Sequence, residues 1–170
     1  KKNKLIPASP KNTGKTTLEI GILSHDLSEI PTCDDYYNLI FSNIVSTLNN
    51  PSLPFHFEFR HSFHDSYEEL EGLEGLIVLG KLHLDPCHPV ISSIKYKLAV
   101  DYKAPDNLFD SVRVDFYDVV NTAISYFHSQ GLYDIGYIGA YDYISDFSTG
   151  KIKKQLEYRH KAFINYCLHN

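Results

Sequence analysis

One apolar stripe of helical period, set between two runs of strand period, constrains this chain more than any other feature. Tyr37, Ile40, Phe41, Ile44, Val45 and Leu48 fall at i, i+3, i+4, i+7, i+8 and i+11, and Asn49, Asn50 and Pro51 stop the pattern. Before the stripe, Leu18 to Ser24 (LEIGILS) reads as a short buried strand. After it, Phe55, Phe57 and Phe59 alternate with His56, Glu58 and Arg60, the period of two that a strand requires. Strand, helix and strand in succession predict a βαβ unit with parallel strands, and so an α/β fold.

The rest of the chain continues the alternation. Leu76 to Leu79 (LIVL), bracketed by Gly75 and Gly80, is a third strand, reached by a crossover too short for a long helix. Asp85 and Pro86 read as the cap and first-turn residue of a short helix running toward Ile94. Leu98 to Val100 and Val112 to Val114 are two further strands. Asp115 or Asp118 caps a helix whose buried face is Val120, Ala123, Ile124 and Phe127, ended by Gly131. Ile135 to Ile138 (IGYI) reads as a strand, and a last helix is expected from about Lys151 to Leu168, with Ile152, Leu156, Phe163 and Cys167 on one side. Lys1 to Thr17, rich in Lys, Pro, Asn and Gly, has no periodicity and reads as a linker or arm.

Composition removes several function classes. The 170 residues suffice for one solid core or two small lobes, and the net charge of -5 lacks the concentrated basic face that grips a phosphate backbone. Nucleic-acid contact would have to come from elsewhere. Cys33, Cys87 and Cys167 are odd in number and widely spaced, which suits neither a disulfide framework nor a zinc ribbon and points to a reducing, cytoplasmic setting. No apolar run approaches the roughly 18 residues of a membrane span, and the basic start (Lys1, Lys2, Asn3, Lys4) lacks the apolar core of a signal peptide. With no methionine in it, the chain is expected to be a piece of something longer.

The motifs that suggest chemistry are incomplete. Ser9 to Thr16 (SPKNTGKT) resembles a phosphate-binding loop, but Ser9 stands where the leading glycine belongs, and a short strand-like run follows where a helix is needed. His61 with His64, and His83 with His88 near Cys87, are the closest histidine groupings. Zinc needs four ligands from defined elements, whereas His61 and His64 read as a polar turn and His56 as the outer side of a strand, so no metal site is expected. No G-x-S-x-G elbow occurs, and no cysteine has an activating partner nearby in sequence; Cys167 reads as a core thiol. No catalytic residue and no cofactor are expected.

Polar residues at strand carboxyl ends face the ligand crevice of an open parallel sheet. Ser24 and His25 end the first strand, Asp101 ends Leu98 to Val100, and Asp115 ends Val112 to Val114, where it serves equally as a helix cap. Arg159 lies near the apolar side of the last helix, where a guanidinium needs a partner, either a ligand or a salt bridge.

Five pieces in order resemble the effector-binding domains of the lactose-repressor and galactose-repressor transcription regulators. They are Leu18 to Leu23 (LEIGIL), Leu73 to Leu79 (LEGLIVL), Val112 to Asp115 (VRVD), Ala123 to Gly139 (AISYFHSQGLYDIGYIG) and Arg159 to Phe163 (RHKAF). They cover about residues 18 to 168, and Asp34-Asp35-Tyr36-Tyr37 with the short second crossover is similar to the galactoside-responsive branch.

The resemblance implies a periplasmic-binding-protein-like fold of two doubly wound parallel-sheet lobes, here residues 18–114 and an incomplete second lobe from 115–170, after the arm 1–17. It also implies a cytoplasmic homodimer that represses a sugar-utilisation operon, with operator DNA held by a helix-turn-helix domain absent from this chain, and no role for a membrane. By position, Arg159 matches the family's sugar-binding arginine and Asp101 an acidic residue that accepts from sugar hydroxyls. His25 falls where a small serine commonly contacts the ligand, and Tyr36 or Tyr37 offers a ring face, Tyr37 also belonging to the helix stripe. The expected ligand set is Ser24, His25, Tyr36, Asp101 and Arg159. The rival readings are a sugar-binding receptor feeding a transporter, which needs an export signal, and an enzyme on a flavodoxin-like or P-loop scaffold.

Overall fold

The computed structural model describes residues 16–24, 35–62, 66–103 and 108–169. Most of the expected arm, the phosphate-loop-like Ser9 to Lys15, His25, Cys33, Asp34 and His64 lie outside the described residues. The elements run β1 (Thr16–Ser24), α1 (Asp35–Leu48), β2 (Phe55–Ser62), a 3₁₀ turn (Tyr67–Leu70), β3 (Gly75–Leu79), β4 (Leu82–His83), α2 (Pro89–Ser93), β5 (Tyr96–Val100), β6 (Asp110–Val112), α3 (Phe116–Ser129), β7 (Tyr141–Asp146), β8 (Ile152–Leu156) and α4 (Tyr158–His169).

The chain divides into two units: the described residues of Lys1–Val112 with Ser145–Lys151, and those of Arg113–Ile144 with Ile152–Asn170. The division after Val112 falls two residues ahead of the boundary expected from sequence. The sequence reading placed Ser145–Lys151 with the second lobe, whereas its contacts are with the first unit. Its backbone explains this: β4 pairs in parallel with the end of β7, Leu82 with Ser145 and His83 with Asp146.

The first unit is built on a parallel five-stranded sheet, order β2-β1-β3-β5-β6. The succession reverses once, between β1 and β3. Alternation sorts the side chains into two faces. Leu23, Leu76 and Val78 point to the face covered by the 3₁₀ turn and α2, forming a core with Leu70, Leu82, Ile91, Ile94 and Phe147. Ile20, Ile22 and Leu79 point to the other face and are buried too. The right-handed rule for parallel crossovers assigns α1, between β1 and β2, to that side. Within α1 the partly buried residues are Tyr37, Ile40, Phe41, Ile44, Val45 and Leu48, the six of the sequence stripe.

Several local expectations are corrected. His61 belongs to β2, not to a polar turn, because β2 stays in register with β1 up to Leu23 opposite Ser62. The short helix is capped by His88, whose Nδ1 accepts from Val90 N, with Pro89 opening the helix; Asp85 instead closes the preceding turn by accepting from Cys87 N at 2.9 Å.

In the second unit, Asp115 caps α3 by accepting from the amides of Tyr117 and Asp118, and Gly131 follows the helix at φ +76°. Val120 and Ile124 are buried against Ala162 of α4, with Ile135, Phe163 and Tyr166 around them; Ala123 and Phe127, expected inside, are exposed. Ile135 to Ile138 forms no strand: Ile135 packs on this small core while Ile138 is fully exposed. The expected helix from Lys151 divides into β8 and α4. The turn between β7 and β8 decides this, since the carboxylate of Asp146 accepts from Ser148 Oγ, Thr149 N and Thr149 Oγ1, and Gly150 turns at φ +63°. Cys167, read as core, is exposed on α4. No helix among the described residues is long and apolar enough to cross a membrane.

Candidate functional site

Ser24, Leu79 and Val100 are paired in a row across β1, β3 and β5, so the residues that follow them emerge together at the carboxyl edge of the sheet. This edge flanks the reversal between β1 and β3, where open parallel sheets form a ligand crevice. The row continues for one residue beyond the strands: Gly80 N donates to Val100 O at 3.1 Å, and Asp101 N donates to Val112 O at 2.8 Å.

Asp101 is the one non-glycine residue with positive φ among the described residues, at +62°. This left-handed conformation costs an ordinary L-residue about 1–2 kcal/mol, and aspartate tolerates it better than most. It turns the side chain toward the start of α1. Tyr37 Oη donates to Asp101 Oδ2 at 2.7 Å, and Tyr36 Oη donates to Oδ1 at 3.2 Å. The two rings meet edge to face with centroids 5.2 Å apart. Gly80, at φ +85°, lies under Tyr37, where a Cβ would sit 3.5 Å from the ring.

Each carboxylate oxygen has one phenol donor and a second lone pair free in principle to accept from another donor. Each phenol oxygen, having donated its proton, still accepts. Tyr37 is half-buried, while Tyr36 is 48% exposed, so the group presents a fixed anionic acceptor beside an accessible aromatic face. Such a group is suited to hold a neutral ligand with neighbouring hydroxyls and an apolar C–H surface.

Ser24 is buried at the end of β1, two strand spacings, about 10 Å, from Val100. Of the five expected ligand residues, then, Ser24, Tyr36 and Asp101 share this sheet edge, and His25 lies outside the described residues. Tyr37, open in the sequence to either a ring face or the α1 stripe, lies beside Asp101 and donates to it, and Gly80, which looked only like a strand terminator, was missed.

Arg159 belongs to the second unit and stands in the first turn of α4, not in mid-helix. It is ion-paired with Glu157, which is buried, and its guanidinium lies over the Phe116 ring, 5.3 Å from the centroid. Tyr137 Oη donates to the other Glu157 oxygen at 3.2 Å. Burial, then the Glu157 carboxylate, pushes the Tyr137 phenol above its usual pKa, keeping it a proton donor. Of the two partners open to Arg159, the salt bridge is thus present.

Among the described residues no group of three or more His, Cys, Asp or Glu side chains is placed to hold a metal ion. His88 is stacked on Tyr67 at 3.9 Å between centroids, with Tyr67 packed edge-on against Phe147. Comparison with protein-family models, curated proteins and solved structures finds no match to the chain.

Proposed function

We propose that this chain is the effector-binding region of a DNA-binding transcription regulator of the lactose- and galactose-repressor kind, sensing a galactoside or related sugar without covalent chemistry. The observation that carries the reading is the Asp101 carboxylate, held in a left-handed turn by two tyrosine hydroxyls at the carboxyl end of β5, one strand out from the β1–β3 reversal. A sugar would donate its hydroxyl protons to Asp101 and lay its C–H face on Tyr36. Strained backbone of this sort persists only where the surrounding structure over-determines it, and it clusters at ligand sites.

The regulator part of the reading rests on the five ordered sequence pieces. The periplasmic-binding-protein-like fold is supported by the three passages of the chain between its units, after Val112, Ile144 and Lys151. In such a cytoplasmic homodimer, sugar alters the spacing of helix-turn-helix heads on operator DNA, and it does so only by binding two lobe arrangements with different affinity. Calorimetric titration with galactosides, other sugars and ATP tests the ligand class. Saturable heat with a sugar is expected; binding of ATP with no response to any sugar would overturn the reading.

A further inference from the structure

Other fixed carboxylates of the chain hold local structure. Asp115 accepts from the amides of Tyr117 and Asp118 and caps α3, and Asp146 accepts from Ser148 and Thr149 and closes the turn between β7 and β8. Asp101 does neither. It accepts from no backbone amide among the described residues, and its two donors, the hydroxyls of Tyr36 and Tyr37, come from another element and carry no charge. Nor does it form an ion pair among the described residues. Arg60 is held by Glu19 and Arg159 by Glu157, and Lys81 and Lys103, which follow β3 and β5 closely, do not pair with Asp101. Lys97, on β5 itself, directs its Nζ to the carbonyls of Ile91 and Ile94 at 3.3 and 2.5 Å.

A sugar laid on this edge takes water away from a carboxylate that no cation balances. The hydroxyls of a neutral sugar satisfy the lone pairs of Asp101 but leave its charge uncompensated, and an unpaired charge drawn out of water is costly. An ammonium group supplies the hydrogen bond and the opposite charge together. The tyrosines favour the same group. Their ring planes meet at 73° with centroids 5.2 Å apart, both hydroxyls reach the one carboxylate, and Tyr36 is 48% exposed. An aromatic face attracts a cation seated within about 6 Å of the ring centroid. Asp101 Oδ1, bonded to the Tyr36 hydroxyl, has a second lone pair, so one ammonium can meet carboxylate and ring together.

We propose that the sugar bound at this edge carries a protonated amine, seated against the Asp101 carboxylate and the Tyr36 ring, so that the ligand is an amino sugar. The inference rests on the sugar-site reading of Asp101 and narrows it. A phosphorylated or acidic sugar is repelled by the same carboxylate, and a neutral sugar binds more weakly than its amine.

Calorimetric titration of the whole chain tests it, with galactose, galactosamine, galactose bearing an amine on its primary carbon, and the N-acetyl form of each amine. Acetylation keeps the nitrogen and removes its charge. At about pH 6 both amines are protonated, and one of them should bind tenfold or more tightly than galactose and than its own acetylated form. Asp101→Asn should abolish that difference. On the unaltered chain, raising the pH through the amine's own pKa should remove its advantage while galactose binds as before. Circular dichroism at each pH and on the variant checks folding. Equal affinity for galactose and both amines, or an amine preference that survives acetylation, Asp101→Asn or the higher pH, would overturn this inference and leave the sugar-site reading standing. Binding of no sugar at all would overturn both.

Discussion

At the scale of single residues, Asp101 carries two costs at once, a left-handed backbone and a charge drawn partly out of water. The two tyrosine hydroxyls offset them, since hydrogen bonds to a charged group contribute about 1.5–3 kcal/mol. Tyr37 supplies the shorter bond from a half-buried position. Tyr37→Phe should therefore lower the free energy of urea unfolding by about 1.5–3 kcal/mol. A loss below about 0.5 kcal/mol would mean that solvent replaces the bond at no cost. Arg159 gives the second residue-scale prediction. Removing it leaves the buried Glu157 carboxylate with the Tyr137 hydroxyl as its hydrogen-bond donor, although the arginine itself is half exposed and screened. Arg159→Ala should destabilise the chain by about 1 kcal/mol in the same assay, with Arg159→Lys recovering part of that loss. The contact between Asp101 and the tyrosines was not legible in the sequence, because it joins residues 64 and 65 positions apart and periodicity reports only neighbours.

At the scale of elements, legibility follows the purity of the pattern. α1 could be read because its six partly buried residues hold a helical period without interruption, whereas the cap of α3 could be read only to within Asp115 or Asp118, of which Asp115 accepts from the amides of Tyr117 and Asp118. β8 could not, since its sequence, IKKQL, has no alternation of apolar and polar residues and its apolar ends suit a helix equally. What makes it a strand is the turn before it, held by Asp146. Hydrogen bonds from Thr149 and Ser148 hold the Asp146 carboxyl below the usual carboxylate range. Because its folded pKa is depressed, the unfolded chain binds this proton more readily. The contribution of Asp146 is thus present above the ordinary aspartate pKa of about 3.9 and is lost as pH falls through the lower folded value. Asp146→Asn should flatten the fall of melting temperature below about pH 4; an unchanged acid limb would remove Asp146 from the account of this turn. Ile135 to Ile138 shows the opposite failure, an apolar run that looks like a strand but has no partner to pair with among the described residues.

At the scale of the whole molecule, the strand order is the feature that gives the residues a purpose. A sequence that alternates strands and helices fixes neither which strands are neighbours nor where their order reverses. Here the order β2-β1-β3-β5-β6 brings the carboxyl ends of β1, β3 and β5 together, and with them Ser24, Gly80 and Asp101. The sequence allowed those ends to be suspected one at a time. It could not show that the first turn of α1 supplies both donors to Asp101, nor that Ser145–Lys151 returns to the first unit. The central claim is that this edge binds a sugar through Asp101. Calorimetric titration of the unaltered chain and of Asp101→Asn, with the sugar giving the largest heat in a galactoside panel, tests it most directly. Asparagine tolerates the left-handed backbone but lacks the charge, so affinity should fall by about tenfold or more, with unchanged circular dichroism. Equal affinity in the two proteins would contradict the claim.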